Sequence, residues 1–414
     1  MINYIDLFAG AGGLSEGFSD ARYNAIAHVE MNKDACYTLK TRACYRYLKN
    51  NNNSEIYRNY LKGQMSRNEL YEYVPTAILD SVICETMSQE SMKSIYKKIN
   101  EQMNASNVKR IDLVIGGPPC QAYSLVGRSR KCMDKDPRNE LYTLYLDVLK
   151  KYKPQMFVFE NVPGMLTAGD GCYFKAAMGG FRDLGYNCDY EVVDASDYGV
   201  LQRRKRIIVV GWKTAKGRNY PSFEKCKGNY TVKMLFEDLP VLNPGEGSNK
   251  YKKRKINDYL LNFGIRTDKD ILTWHIARPN IERDRQIYER AISEWNNGHK
   301  RLKYDNLPKE LITHNNTKGF LDRYKVVADD LPTAHTMMSH ISKDGHYYIH
   351  PDIRQARSIT VREAARIQSF PDNYYFEGSR TSAFTQIGNA VPPLMARAIA
   401  NAVYVELVKK RRQV

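Results

Sequence analysis

Five short apolar runs punctuate the first 213 residues: Tyr4–Phe8, Ala25–Val29, Asp112–Ile115, Met156–Phe159 and Ile207–Gly211, separated by longer helix-like stretches. Near-continuous apolar runs of strand length are what a sheet covered on both faces requires. Their alternation with helices is the pattern of a doubly wound, mostly parallel α/β sheet. In such sheets the chemistry sits just beyond the carboxyl ends of the strands. The turns that follow these runs are therefore the places to look for functional side chains.

The first turn, Asp6-Leu7-Phe8-Ala9-Gly10-Ala11-Gly12-Gly13-Leu14, leads from a strand into a helix. Its glycines let the backbone come close to a ligand. Ser15 occupies the third glycine position of the dinucleotide fingerprint and no lysine of a phosphate-binding loop follows, so a pyrophosphate cradle is not supported. Glu30 ends the next apolar run, where a carboxylate can accept both hydroxyls of a ribose. A glycine turn with a downstream acid and no pyrophosphate site suits S-adenosylmethionine. An ordinary tight turn followed by a surface carboxylate has the same pattern.

The second turn is Gly117-Pro118-Pro119-Cys120-Gln121-Ala122. None of the eight cysteines forms a C-x-x-C pair, which argues against a zinc ribbon or a thioredoxin-type site. A cysteine is usually a small buried hydrophobe; Cys120, on a proline-stiffened turn past a strand, is placed for chemistry. The third is Met156-Phe157-Val158-Phe159-Glu160-Asn161, which sets one carboxylate at the end of an apolar strand. Burying it alone costs several kcal/mol or forces it to take up a proton. Local backbone N–H groups could also satisfy it. Finally, Gln202-Arg203-Arg204-Lys205-Arg206 enters a strand, and alternation puts Gln202, Arg204 and Arg206 on one face, where they need anionic or carbonyl partners.

The net charge of +17 implies a polyanionic partner or a very soluble surface. Its distribution favours the former: residues 213–303 hold 20 Lys and Arg against 11 Asp and Glu, about half the excess in a fifth of the chain. This region includes Lys250-Tyr251-Lys252-Lys253-Arg254-Lys255, either a solvated face or a phosphate-contacting module. The expected layout is a catalytic domain over 1–213 with a peripheral insertion at about 45–108, an irregular, smaller domain with a brace helix over 214–382, and a C-terminal segment, 383–414, rejoining the first domain. Thr360-Val361-Arg362-Glu363 is a capping box for that brace helix, which should stop before Pro371; a last helix is expected over Leu394–Val408. No basic segment leads into a long apolar run at Met1–Asp6, and no run reaches the ~18 apolar residues of a membrane span. The expectation is a cytoplasmic chain with reduced thiols, away from membranes.

Taken in order, DLFAGAGG, GGPPCQAYS, FVFENV, QRRKR, TVREAARIQSFPD and QIGNAVPP resemble the motifs of the bacterial cytosine-5 DNA methyltransferases, from residue 6 to residue 393. The resemblance implies a Rossmann-like S-adenosylmethionine-dependent methyltransferase domain with a smaller target-recognition domain. It implies methylation of carbon 5 of a flipped-out cytosine in a short sequence of double-stranded DNA. Cys120 would be the nucleophile, Glu160 the acid at the base, Arg206 a donor to the ring carbonyl and Arg204 a support for Glu160. Phe8, Gly10, Ala11, Gly12, Glu30, Met31, Pro119, Leu141, Asn389 and Val391 would hold the cofactor. Gln121, Ser124 and Arg128 would touch DNA; Lys252, Lys253 and Arg254 are expected to do so from the charge of the basic run, not from the resemblance. Glu85, after the third strand, stands where the family uses an acid against the adenine amino group. The resemblance also implies a monomer, with a separate restriction endonuclease as a possible companion activity. A transfer-RNA methyltransferase of the same fold and a silent DNA-binding relative are the rivals; the Cys-Phe-Thr tripeptide of the former is absent.

Overall fold

The computed structural model describes residues 1–119, 141–213, 219–226, 228–252, 255–313, 319 and 321–409. The first part of the chain runs β1 (Ile2–Leu7), α1 (Gly13–Gly17), β2 (Tyr23–Glu30), α2 (Lys33–Asn50), α3 (Ser54–Leu61), α4 (Arg67–Glu72), α5 (Thr76–Asp80), β3 (Val82–Cys84), α6 (Met92–Ala105) and β4 (Leu113–Gly116). It continues through α7 (Leu141–Tyr152), β5 (Met156–Asn161), α8 (Cys172–Asp183), β6 (Tyr186–Asp194) and β7 (Lys205–Lys213). These strands form one seven-stranded sheet, ordered β3-β2-β1-β4-β5-β7-β6. Only β7 runs antiparallel to its neighbours. The strand order reverses between β1 and β4, so the crevice for a ligand lies past their carboxyl ends.

Side-chain alternation divides the two faces. Ile5, Leu7, Phe157 and Phe159 pack under α6, α7 and α8, whereas Tyr4, Leu113, Met156, Val158, Ile208 and Val210 face the other way. That second face is closed partly by α1 and partly by the last helix, α13 (Pro393–Val408), whose Leu394, Met395, Ile399 and Val403 enter the same core. The stretch Arg380–Val408 is long and apolar enough to match a membrane span by composition, but it is broken at Pro392–Pro393 and is mostly buried.

All five expected strands form, each longer than its apolar run by up to two residues at an end or shifted by one. Two further strands carried no such run. β3 has only three residues, and β6 is a sheet edge with exposed side chains at Asn187, Tyr190, Glu191 and Val192, so neither needs a continuous apolar stretch. The stretch at about 45–108 is accordingly only partly an insertion. β3 pairs with β2, and α6 buries Met92, Ile95 and Ile99 in the sheet's core. The added piece narrows to α3–α5, which gather around Tyr57, Leu70 and Val74.

The second core is assembled from irregular chain with short helices: α9 (Asp258–Asn262), α10 (Glu282–Asn296), α11 (Val361–Ile367) and α12 (Arg380–Asn389). α11 starts in the expected capping box. Thr360 Oγ1 accepts from the Glu363 N–H at 3.2 Å, and Glu363 Oε2 accepts from the Thr360 N–H at 2.7 Å. Every residue of α11 is buried, including Arg362, Glu363 and Arg366. Burial pushes the Glu363 carboxyl up, but Arg357 and His350 beside it outweigh burial and hold it far below the usual carboxylate range. Burial likewise holds His350 down, at about 3, so the ring is neutral at pH 7.

Candidate active site

Glu160 and Arg206 meet at the sheet edge. Glu160 stands opposite Ile208 in the β5–β7 register, and Arg206 is two residues away on the same face, within diagonal reach. Arg206 Nε lies 2.6 Å from Glu160 Oε1, and both side chains are nearly covered, at 13% and 14% exposure. The lone carboxylate read from the sequence is therefore paired by an arginine.

The turn after β4 is pressed against the same carboxylate. A Cβ on Gly117 would stand 2.5 Å from Glu160 Oε2 and 2.9 Å from the Glu160 carbonyl oxygen, so only glycine fits. Asn161 Nδ2 donates to the Pro118 carbonyl at 3.4 Å. Pro119 is exposed at the end of this turn. Cys120, Gln121, Ser124 and Arg128 lie outside the described residues, as do Lys253 and Arg254.

The alternation expected at 202–206 is present: Gln202 and Arg204 are buried and Arg206 nearly so, while Arg203 and Lys205 are exposed. Arg204, expected to support Glu160, instead donates to the carbonyls of Met337 at 2.7 Å and Gly388 at 3.0 Å. It thereby ties the strand entry to two distant segments, and Arg206 is the residue that holds Glu160. Burial, with the charge of Arg206 adding to it, makes Arg204 far less basic than a free arginine. Gln202 donates to Gln368 Oε1 at 2.6 Å, and Gln368 donates to the carbonyls of Ile387 at 2.7 Å and Ala390 at 3.0 Å. This amide relay was not foreseen; its members are 166 residues apart, and nothing local marks them.

The glycine turn after β1 is held from two sides. Glu30 Oε2 accepts from the Gly10 N–H at 2.8 Å and Oε1 from the Asn32 N–H at 2.7 Å. Burial raises the Glu30 pKa, and the N–H groups of Asn32, Gly10 and Met31 oppose the rise. Phe8 adopts a left-handed backbone with φ 54°, a sparsely populated conformation that collects at ligand sites. At Gly10 nothing lies within 4 Å of where a Cβ would stand, so the turn faces open room beside the carboxylate. A carboxylate with unused lone pairs, backbone N–H groups and an aromatic side chain fit a nucleoside with a ribose diol. Met31 is exposed beyond Glu30, and Leu141 opens α7 half-buried against the sheet's core.

Asn389 and Val391 reach this turn from the far end of the chain. A Cβ on Gly13 would stand 2.2 Å from the Val391 carbonyl oxygen, which shows how closely the two segments approach. Asn389 is exposed there, and the Val391 side chain packs in the sheet's second core. The Ala11 side chain points the other way, into the core gathered around α11 and α12, and its carbonyl accepts from Tyr374 Oη at 2.5 Å. Ala11 thus turns only its backbone toward the glycine turn, and Tyr374 is a support that the sequence did not reveal. Glu85 is also turned away: its Oε2 accepts from Lys98 Nζ at 2.8 Å and from Ser94 Oγ at 3.1 Å. In the basic run, Lys252 is exposed, but Tyr251 is not part of a solvated face. Its Oη donates to Asp372 Oδ2 at 2.7 Å, and the Arg266 guanidinium sits 3.6 Å from its ring centre.

Comparison with known proteins agrees with this geometry. The type II methyltransferase M.Bpa9945I of Bacillus paralicheniformis is 43% identical, with 96% of this chain and 98% of that protein aligned. The type II methyltransferase M1.HphI of Haemophilus parahaemolyticus is 30% identical over 97% of this chain and 86% of its own. Among solved structures, a prophage-encoded DNA modification methyltransferase from E. coli shares the fold, with a TM-score of 0.64 at 24% identity over 98% of this chain and 99% of that one. The family model for C-5 cytosine-specific DNA methylases matches residues 2–66 and 62–404. With the sheet, the Glu160–Arg206 pair and the glycine turn in place, the chain belongs to the C-5 cytosine-specific DNA methylase family.

Proposed function

We propose that this protein methylates carbon 5 of cytosine within a short DNA sequence, through a covalent bond between Cys120 and carbon 6 of the base. The observation that carries the mechanism is the Glu160–Arg206 pair, set directly against the turn that leads to Cys120. Carbon 5 of cytosine is a poor nucleophile. Addition of the Cys120 thiolate at carbon 6 breaks the ring's conjugation and makes carbon 5 enamine-like. Electron density builds up at ring nitrogen 3, where Glu160 holds the proton that stabilises it. Arg206 fixes Glu160 and, as a preorganised positive charge, favours both the ring oxygen and the thiolate. Once carbon 5 has taken a methyl group, loss of its proton to a base expels Cys120 and restores the ring. These atoms are out of reach inside a duplex, so the base must be flipped out.

S-adenosylmethionine supplies an electrophilic methyl group on a positively charged sulfur. Glu30 would accept from its ribose, with Phe8, Gly10, Gly12, Met31, Pro119, Leu141, Asn389 and Val391 forming the rest of the site. Arg204 is a positioning residue here, holding Met337 and Gly388 against the strand entry. The second domain, 214–382, is the candidate for target recognition, with Lys252, Lys253 and Arg254 contacting backbone phosphate and Gln121, Ser124 and Arg128 meeting DNA beside the flipped base. The protein acts in this reading as a cytoplasmic monomer on double-stranded DNA, as the modification half of a restriction-modification pair.

Glu160→Gln keeps the size of the side chain and removes its proton chemistry. It is expected to lower kcat by roughly 10²–10⁴-fold, with affinity for S-adenosylmethionine within about twofold of wild type. Single-turnover methyl transfer and equilibrium cofactor binding measure the two. Loss of cofactor binding, with turnover falling in parallel, would remove Glu160 from the chemistry.

A further inference from the structure

Cations that this mechanism does not use gather in one concavity that residues of the second domain form with Arg203. A cavity of about 470 Å³ opens beside α10, and among the described residues its lining includes Arg203, Lys300, Arg301 and Lys325 and no carboxylate. Its floor is apolar, with Ala291, Leu302 and Val326. Lys325 Nζ donates to Tyr347 Oη at 3.3 Å, and that hydroxyl donates to Asp322 Oδ2 at 3.3 Å, so the carboxylate reaches the ammonium only through a phenol. Burial, and then the charge of Arg301, pull Lys325 below the ordinary lysine range. His335 adds no charge: its Nε2 donates to the Tyr347 carbonyl at 2.7 Å, and burial holds its pKa at about 3. Like charges converge on this concavity, and no acidic group among the described lining residues balances them.

The cavity shares one stretch of chain with the reaction site. Its rim includes Arg203, whose N–H donates to the Ala334 carbonyl at 3.0 Å and whose carbonyl accepts from Thr336 Oγ1 at 2.6 Å. Three residues farther along the same extended stretch, Arg206 pairs with Glu160. At about 3.3 Å per residue the two are roughly 10 Å apart along the chain. A phosphodiester needs only donors and positive charge, which these cations supply.

We propose that the cavity formed by Arg203, Lys300, Arg301 and Lys325 is a phosphate subsite that grips the DNA backbone beside the flipped cytosine and positions the target without reading its sequence. The proposal rests on the reading of the protein as a DNA methyltransferase. The test uses the full chain and unmethylated plasmid DNA as methyl acceptor, across a series of NaCl concentrations. Lys325→Gln and the exposed pair Lys300→Gln/Arg301→Gln are compared with wild type and with Lys97→Gln, which lies on α6 away from the cavity.

Each cavity variant should raise KM for DNA at least fivefold at physiological salt, with kcat nearly unchanged and the methylated motif the same. The slope of log KM against log salt should fall by about 0.9 for each phosphate contact removed, and Lys97→Gln should match wild type. Unchanged salt slopes in both cavity variants, with wild type active, would overturn the subsite alone. A changed motif would make the cavity a base reader and overturn it too. Thermal stabilisation by inorganic phosphate without any change in the DNA slope would reassign the cavity to a small anion. A wild type inactive on DNA would overturn the reading beneath the proposal, and the proposal with it.

Discussion

Cys120→Ser is expected to lower methyl transfer by at least about 10³-fold while the protein still binds DNA and S-adenosylmethionine. The chain leaves β4 at Gly116 and runs past Glu160 so closely that Gly117 tolerates no side chain, with the Pro118 carbonyl held by Asn161. Cys120 follows two residues later. A serine hydroxyl there is far less acidic than a thiol and supplies no comparable nucleophile for carbon 6. Nothing else in the proposed scheme changes, so binding should survive. Label incorporation and a gel-shift titration on the same preparation separate the two effects. Full activity in the variant would rule out the covalent route.

Arg366→Met is expected to destabilise the fold by about 3–5 kcal/mol, because it breaks a buried ionic cluster from one side. Arg366 is wholly buried and binds two carboxylates at once. Its Nε and Nη2 reach Asp372 at 2.9 and 2.5 Å, and its Nη1 and Nη2 reach Asp238 at 2.6 and 3.1 Å. Burial raises the Asp372 pKa, and Arg366 more than reverses the rise. Methionine matches much of the lost volume, so the penalty comes from leaving buried negative charge with less compensation. Arg266 still holds Asp238, and Arg362 lies 3.7 Å from Asp372, which limits the loss. The urea midpoint should drop at an unchanged slope. A midpoint equal to that of wild type would mean that the cluster contributes nothing to stability.

The sheet was legible because its buried strands must be apolar along their length, and the turns after them were legible because glycine and proline mark them. Glu160 stood out for the same reason: a carboxylate ending Met156–Phe159 has to find a partner, and Arg206 was already on the correct face by alternation. What sequence could not supply was the choice between partners. Arg204 and Arg206 share that face, and only the packing of 337–339 and 388 against the strand entry decides which arginine turns to Glu160. Long-range supports were equally hidden. Tyr374 reaches Ala11 across 363 positions, and the Gln202–Gln368 relay joins segments with no common local pattern. The charged residues of α11, read as a brace helix, carry no local mark of their partners, and all are buried because those partners come from Asp238, Arg357 and Asp372. Edge strands β3 and β6 went unread because exposure frees them from the apolar pattern.

The central claim, cytosine-5 methylation of DNA at a defined sequence, is tested most directly by offering labelled S-adenosylmethionine with unmethylated genomic DNA and, separately, with transfer RNA, then bisulfite sequencing the DNA. The account predicts label in DNA, none in transfer RNA, and methylcytosine confined to one short motif. Label in transfer RNA with none in DNA, from a protein shown to bind the cofactor, would contradict it.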